Sequence, residues 1–235
     1  NKLYKFIGKL LQRNNKMNSI DMNSFKSKNF LKIHNVDIIK GYNKLFSKFS
    51  YKFSYGNLYI ITGSNGIGKT TLLKCICGLT YPDKGYISWN DLSIEKDYLE
   101  FYKNITYLGH LNSILPNLSV IDNINFLSNL QNNCITFTEK NDHFGILPLK
   151  EYDISELSNG QKRRVALTRL NLSEKPLWIL DEPLNSVDKV YEKIFEQQIV
   201  KHVKRNGIVI ISSHNVHQYE KYEFCNTIDL DKINE

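Results

Sequence analysis

The chain has 235 residues, of which 41% are hydrophobic and 23% are charged. This length allows one substantial domain core, and this composition excludes a disordered or collagen-like chain. The apolar runs fall far short of the roughly 20 residues that a membrane helix needs. The net charge of +7 comes from basic residues scattered along the chain, so no nucleic-acid partner is expected. The four cysteines have no paired metal spacing, which indicates reduced thiols in a cytosol-like compartment.

The N-terminal segment, residues 1–29, is rich in Lys, Asn and Ser and has no acidic residue before Asp21. It has no sustained periodicity beyond a short amphipathic patch around residues 3–11. Disorder is the first interpretation, and a targeting remnant or a membrane-surface helix are the alternatives. Residues 30–235 are predicted to form one folded domain.

From Leu31 onward, short apolar segments alternate with longer helical patterns, which is typical of a mostly parallel sheet covered by helices. Strands are predicted at 57–62, 177–180 and 208–212, and helices at 69–77 and 189–205. Gly78 is placed to end the first of these helices, and residues 81–85 read as a turn. Residues 98–172 look mainly helical. The sequence therefore predicts an α/β core that contains a helical subdomain.

A glycine-rich loop connects the predicted strand at 57–62 to the next helix, with the sequence Gly63-Ser64-Asn65-Gly66-Ile67-Gly68-Lys69-Thr70-Thr71. Its glycines let the backbone wrap around phosphate oxygens, so that successive N–H groups and the positive helix end face the anion. Between a strand and a helix, the pattern G-x-x-x-x-G-K-T predicts an ATP phosphate site. Lys69 is expected to neutralise the β- and γ-phosphates, and the Thr70 hydroxyl to bind Mg²⁺.

Two adjacent acids, Asp181 and Glu182, follow the apolar strand predicted at 177–180. Successive side chains on a strand point to opposite faces, so the two carboxylates are expected to have different roles. Asp181 is assigned to the magnesium shell, usually through water. Glu182 is assigned to polarising the attacking water as general base.

A third motif, Leu157-Ser158-Asn159-Gly160-Gln161, has the spacing of a helix cap. Ser158 and Gln161 stand three residues apart, as in a capping box, so a helix is predicted to begin here. Such a helix end offers a hydroxyl, the Gly160 amide and a dipole to an anion. Because Lys69 already holds the γ-phosphate within the same subunit, this second helix end is expected to serve the ATP of a partner chain.

Together, these motifs resemble those of the ABC ATPase family. The resemblance implies a P-loop NTPase core with a mostly parallel sheet, an antiparallel β subdomain and a helical subdomain at about 98–172. It also implies a head-to-tail dimer, in which Ser158, Gly160 and Gln161 close over the ATP of the opposite subunit. Residues 185–188 match the family's loop that communicates across the dimer. His214 matches the switch histidine that contacts the γ-phosphate.

The chain departs from the common family pattern at two positions. Asn159 stands where the signature most often has glycine, a change that should still allow the helix cap. His110 stands where most members have a glutamine that senses Mg²⁺ and couples to the membrane subunit, and weaker metal sensing with preserved coupling is expected. Tyr42 is the candidate for the aromatic side chain that stacks on adenine.

Within the family, the chain is most similar to the ATP-binding subunits of cytochrome c maturation transporters, also called haem exporters, over about residues 31–215. The similarity lies in the runs 61–66, 109–110, 160–167 and 177–183. It implies a peripheral subunit docked on polytopic membrane subunits, at the cytoplasmic face or the mitochondrial matrix face. The resemblance also implies that ATP turnover there drives release of a haem-loaded chaperone. The chain itself is not expected to bind haem, because its histidines form no ligation motif.

Two alternatives stay open at this point: the ATPase of another ABC exporter, and a soluble ABC ATPase of iron-sulfur cluster assembly. Translation factors of this type usually carry two cassettes, and the DNA-repair type carries a long coiled coil; this sequence has neither feature. A plain P-loop kinase would have no use for the motif at 157–161.

Overall fold

The computed structural model describes residues 29–130, 137–213 and 217–233. Within these ranges the chain folds into two β-sheets with helices packed around them. The strands are β1 (Phe30–Lys40), β2 (Asn43–Ser54), β3 (Asn57–Thr62), β4 (Lys84–Trp89), β5 (Leu92–Ser93), β6 (Ile105–Leu108), β7 (Leu177–Asp181), β8 (Ile208–Ser212) and β9 (Cys225–Asp229). The α-helices are α1 (Lys69–Ile76), α2 (Tyr98–Asn104), α3 (Val120–Leu130), α4 (Asn159–Asn171), α5 (Lys189–Lys204) and α6 (Leu230–Ile233).

The larger sheet is parallel and has the strand order β6-β7-β8-β3-β9. Its inner strands are continuous apolar runs, because helices or a second sheet cover both faces. In β7, Leu177 and Ile179 belong to one hydrophobic core, whereas Trp178 and Leu180 belong to the other. The strands predicted from apolar runs are confirmed.

The smaller sheet is antiparallel, with the order β2-β1-β4-β5. Its buried side chains, among them Leu31, Ile33 and Phe53, form the first core with α1 and one face of the parallel sheet. Phe53 packs edge-on against Tyr59 of β3, with ring centroids 4.9 Å apart. Such aromatic pairs add to the stabilisation from buried apolar area. The β subdomain is thereby joined to the strand that leads into the glycine-rich loop.

Helices α3, α4 and α5 contribute to the second core, which covers the opposite face of the parallel sheet. The buried face of α4 carries Val165, Ala166 and Leu170. Two short 3₁₀ turns, Leu147–Leu149 and Ile154–Glu156, lead from α3 towards α4. The α/β fold with an antiparallel sheet and a helical part is therefore confirmed, while the exact subdomain boundaries stay predictions.

Two local predictions were wrong. The segment at 98–172 is not simply helical with loops, because β6 pairs with β7 at the edge of the parallel sheet; a run of four residues is too short for periodicity to separate strand from helix. The turn predicted at 81–85 ends earlier, because β4 begins at Lys84. Gly85 instead allows β4 to approach β1 closely, since a Cβ there would overlap the carbonyl oxygen of His34 in β1.

The predicted end of α1 is confirmed, because Gly78 follows the helix with a φ of +69°. The N-terminal segment 1–29 lies outside the described residues except for Asn29, so its interpretation stays a prediction.

Candidate functional site

The glycine-rich loop leaves the carboxyl end of β3 and enters α1, as the sequence predicts. Its tip, which contains Ser64, Asn65 and Gly66, is exposed to solvent. Gly68 precedes α1 with a φ of +114°, which only glycine adopts readily. A Cβ at Gly68 would also lie only 3.1 Å from the Phe46 ring and 3.2 Å from the Leu45 side chain, both in β2. The antiparallel sheet therefore supports the back of this loop.

The Lys69 side chain is folded over the loop and is only 6% exposed. Its ammonium donates hydrogen bonds to the carbonyl oxygens of Gly63, at 2.8 Å, and Ser64, at 3.1 Å. Thr70 and Thr71 follow it in the first turn of α1, where both are half-buried. The loop therefore collects a positive charge, a helix N-terminus and hydroxyl groups in one place, which suits a bound polyphosphate.

Asp181 ends β7 and is almost completely buried. Its Oδ1 accepts a 2.6 Å hydrogen bond from the Ser212 hydroxyl of β8. Its Oδ2 is buried with no hydrogen-bond donor among the described residues. Because a buried carboxylate oxygen without a partner is costly, this atom is a fitting acceptor for a hydrated metal ion. Helix α1 packs on β7, so Thr70 and Asp181 belong to neighbouring elements.

Glu182 lies where the chain leaves the sheet, and its φ of +46° is unusual for a residue with a side chain. Its backbone N–H is held by the Ser212 hydroxyl at 3.0 Å. Its carboxylate Oε2 accepts a 2.6 Å hydrogen bond from the Asn185 amide. Strained backbone of this kind costs about 1 to 3 kcal/mol and is concentrated at functional sites. The turn separates Glu182 from Asp181, in keeping with different roles for the two acids.

The helix predicted from the third motif is confirmed as α4, and Ser158 is its N-cap. The Ser158 hydroxyl accepts from the Gln161 N–H at 3.2 Å, and the Ser158 N–H donates to the Gln161 side chain at 2.8 Å. A Cβ at Gly160 would come within 2.8 Å of the Ser186 carbonyl oxygen, so this helix end packs against the loop at 185–188. Ser158 and Asn159 are exposed. Across the described residues, no hydrogen bond joins this helix end to the glycine-rich loop.

A buried arginine, Arg163, connects α4 to the backbone segments that follow β6 and β7. The sequence analysis missed this residue. Burial lowers the pKa of its guanidinium to about 10, while the nearby Asp181 and Glu182 act to raise it, so the group stays charged at neutral pH. The sequence feature that could have revealed Arg163 is its position one turn before Ala166 and Leu167, on the apolar face of the helix. Its hydrogen bonds go to the carbonyl oxygens of Pro183 (2.8 Å), Gly109 (3.1 Å), Asp181 (3.1 Å) and Glu182 (2.7 Å) and to the Asn112 side chain (3.1 Å).

A second buried arginine, Arg169, fixes the loop that follows β6. Its guanidinium donates to the carbonyl oxygens of Tyr107, Asn112 and Ser113. Burial, with a smaller contribution from Arg163, lowers its pKa to about 10. The two arginines therefore hold the backbone on either side of His110, whose side chain is exposed.

Two other predicted site residues stand apart from these contacts. Tyr42 is fully exposed in the turn between β1 and β2. This turn comes shortly before Leu45 and Phe46, the two residues of β2 that lie next to Gly68. His214 lies outside the described residues; Ser213, just before it, donates its N–H to the Ile61 carbonyl oxygen at 3.2 Å. The roles of Tyr42 and His214 stay predictions.

A parallel sheet, a glycine-rich loop that leads from β3 into a helix, and a buried acid at the end of β7 in the same sheet define a P-loop nucleoside triphosphatase. A sequence profile described as ABC transporter matches residues 46–185. The chain belongs to the ABC transporter family, and it is an ATPase of that family.

Curated relatives cover most of the chain. The cytochrome c biogenesis ATP-binding export protein CcmA of Aliivibrio fischeri is 38% identical over 186 residues, which are 78% of this chain and 91% of that protein. The protein of the same name from Mannheimia succiniciproducens is 39% identical over 197 residues, with 80% and 89% covered. The predicted resemblance to this subgroup is confirmed. The relatives named are bacterial and lend no support to the mitochondrial alternative.

Solved structures give the same fold. A putative ABC transporter ATP-binding protein from Pyrococcus furiosus superimposes with a TM-score of 0.70 at 28% identity, over 86% of this chain and 98% of that chain. The dimeric bacterial ABC transporter cassette MJ0796 gives a TM-score of 0.72 at 20% identity, over 85% and 94%. The second comparison shows the fold alone. In the described part of the chain, no helix has the length and apolar character needed to cross a membrane.

Proposed function

We propose that the chain is the ATP-binding and ATP-hydrolysing subunit of a transporter for cytochrome c maturation, which exports haem or releases a haem-loaded chaperone. The observation that carries this proposal is the identity of 36 to 39% to cytochrome c biogenesis export proteins over 78 to 80% of the chain. This stretch is long enough to include the phosphate loop, the acids and the signature helix together. Transport function resides in the site and its partners rather than in the fold, so it needs a direct test.

Each site residue has a proposed role in ATP hydrolysis. The loop from Gly63 to Thr71 surrounds the phosphates, and Lys69 neutralises their β- and γ-oxygens. Glu182 polarises the attacking water, supported by the hydrogen bond from Asn185. His214 contacts the γ-phosphate, and Tyr42 stacks on adenine. Because this chemistry needs charge neutralisation and an aligned water, positioning supplies most of the catalysis.

Mg²⁺ fits the site, because Thr70 offers a hydroxyl and Asp181 offers a buried carboxylate oxygen without a donor. When bound, the ion supplies charge neutralisation at the phosphate oxygens. Asp181 would hold it through water, while Ser212 fixes the other carboxylate oxygen. His110 follows β6, which pairs with the strand that carries Asp181, and would link the site to a membrane subunit.

The functional unit is proposed to be a head-to-tail dimer. Ser158, Gly160 and Gln161 form a capped helix end in which Ser158 is exposed, and this end makes no hydrogen bond to the phosphate loop among the described residues. In the dimer this end faces the ATP of the partner copy, so that two ATP molecules are enclosed between two subunits. Hydrolysis then reopens the dimer.

The chain is proposed to work at a membrane surface, docked on polytopic membrane subunits. The bacterial relatives favour the cytoplasmic face for this placement. No nucleic acid enters the cycle, and the chain itself does not bind haem. The cargo is carried by partners, whereas this subunit supplies the free energy of ATP hydrolysis.

Affinity purification of the full chain from its native membrane tests the proposal. Membrane proteins of cytochrome c maturation should co-purify with the chain. Recovery of iron-sulfur scaffold proteins instead, or of an exporter unrelated to cytochrome c, would replace the proposed function. A chain with Lys69→Ala, which is expected to lose turnover but keep its fold, serves as the matched sample. Partners that depend only on docking should be recovered with both chains.

A further inference from the structure

A carboxylate from the end of the described chain contacts the phosphate loop. The Oδ2 atom of Asp231 accepts a hydrogen bond from the Ser64 backbone N–H at 2.8 Å. Its Oδ1 atom accepts a second one from the Ser64 hydroxyl, also at 2.8 Å. Both oxygens of one side chain therefore hold a single residue, the second of the loop. The two residues are separated by 167 positions in the sequence.

Strand register brings these residues together. β9 pairs in parallel with β3, and Asp229 lies opposite Thr62. The two strands therefore end at the same level, and the phosphate loop and α6 leave the sheet side by side. Leu230 is completely buried, and a Cβ at Gly63 would lie 3.4 Å from its Cβ. The Asp231 N–H donates to Asp229 Oδ1 at 3.2 Å. The edge strand β9 therefore sets the position of Asp231 beside the loop.

The contact engages one side of the first two loop residues. Lys69 binds the carbonyl oxygens of Gly63 and Ser64, and Asp231 binds the N–H and hydroxyl of Ser64. Donors and acceptors at the loop entrance are therefore both engaged by charged groups. Hydrogen bonds to charged groups are about twice as strong as neutral ones. This arrangement fixes the loop entrance and does not engage the N–H groups of Asn65 and Gly66 at the loop tip.

We propose that Asp231 is a positioning residue for ATP binding. Its carboxylate holds Ser64 so that the rest of the loop is already shaped for the phosphates when the nucleotide arrives. A group that is ordered beforehand lowers the free-energy cost of binding. The proposal rests on nucleotide binding at this loop, but not on the identity of the transporter. The opposite role, a carboxylate that merely repels phosphates, predicts tighter ATP binding when its charge is removed.

The test measures ATP affinity of the full chain by titration calorimetry, together with KM and kcat. Asp231→Ala should weaken ATP binding and raise KM about tenfold, with kcat nearly unchanged, because two charge-assisted hydrogen bonds are lost. Asp231→Asn keeps one acceptor oxygen and should fall between the alanine variant and the original chain. Glu223→Ala removes an exposed carboxylate elsewhere in the same C-terminal region and should leave affinity unchanged.

A double-mutant cycle tests the contact itself. Ser64→Ala should weaken ATP binding by a smaller factor, because the backbone N–H still reaches Asp231. In the Asp231→Ala background, Ser64→Ala should have no further effect. Additive effects in the cycle, or unchanged or tighter ATP binding in Asp231→Ala, would overturn the proposal. Lys69→Ala separates this failure from a failure of the site: full ATP affinity in that variant would reject nucleotide binding at the loop.

Discussion

At the residue scale, the two acids of the site are positioned by the hydroxyl group of Ser212. Asp181 and Ser212 form a short hydrogen bond between two neighbouring strands, and the same hydroxyl also holds the backbone of Glu182. A single serine therefore determines the position of both acids. The strained φ of Glu182 is maintained by these contacts, since an isolated chain would relax it.

Replacing Glu182 with Gln tests its assignment as general base. The amide keeps the size of the side chain and can still accept from Asn185, but it carries no charge to polarise water. ATP binding should persist, turnover should fall by about a hundredfold or more, and ATP-bound dimers should accumulate. Phosphate release and light scattering measure the two effects. Glu192→Gln is the control, because Glu192 is another acid and lines one cavity together with Glu182. Monomers with full turnover would reject the scheme.

His202 should make the stability of the protein depend on pH. The ring is buried, stacks on Trp178 with centroids 3.8 Å apart and lies 3.1 Å from the Pro176 carbonyl oxygen. Burial lowers its pKa from 6.5 to about 3. Below pH 6.5 the unfolded chain therefore binds a proton at His202. The folded protein does not bind this proton until the pH falls to about 3. The stabilising contribution is fully present above pH 6.5 and is lost as the pH falls.

The size of this effect can be measured by urea unfolding at pH 7.5 and pH 5. Between these values the original chain should lose about 2 kcal/mol more free energy of unfolding than His202→Gln, which cannot titrate. The variant should be less stable at pH 7.5, because it loses the ring stack, but its pH dependence should be flatter. Equal losses in both proteins would show that His202 is not the titrating group.

At the element scale, α4 is the part that joins the site together. Its N-terminus presents Ser158 to solvent and its Gly160 lies against the loop at 185–188. One turn further, Arg163 ties the same helix to the backbone after β6 and β7. Direct hydrogen bonds therefore connect α4 to the loop of His110 and to the backbone of both acids.

Replacing Arg163 with Met should lower the free energy of unfolding by about 3 kcal/mol, because several buried carbonyl oxygens lose their donor. Arg163→Lys should restore little of it, since an ammonium cannot reproduce five planar N–H donors. Lys162→Met is the matched control on the same helix, where the ammonium only approaches the exposed Ser155 carbonyl oxygen at 3.5 Å. Chemical denaturation measures all three. A loss for Lys162→Met as large as that for Arg163→Met would contradict this account.

At the scale of the whole molecule, two sheets and a helical part bring distant segments to one edge. The antiparallel sheet packs against Gly68. In the parallel sheet, β7 ends in the two acids, and β9 leads to Asp231. The capped end of α4 is directed at solvent instead. A complete site is therefore expected only when a second copy supplies that helix end.

Subunit complementation tests this expectation. Lys69→Ala disables the phosphate loop of its own chain. Ser158→Asp keeps a good N-cap but sets a negative charge against the partner's phosphates. Each variant alone should lack ATPase activity, whereas an equal mixture should recover up to about a quarter of the original rate, because about half of its dimers are mixed and each mixed dimer has one intact site of two. Ser158→Asn keeps the cap without the charge and is the control. A mixture as inactive as its components would reject the shared site.

The phosphate loop, the acid pair and the capping box were predictable from the sequence, because each depends on residues within a few positions of one another. Their physical cause is local: backbone freedom at glycine, a strand end, and a hydroxyl three residues before its amide. The sequence did not reveal β6, the network of Arg163 or the contact between Asp231 and Ser64. These depend on strand order and register, which bring together residues up to 167 positions apart. Only the folded sheet decides such neighbours, because no pattern within either segment specifies the other.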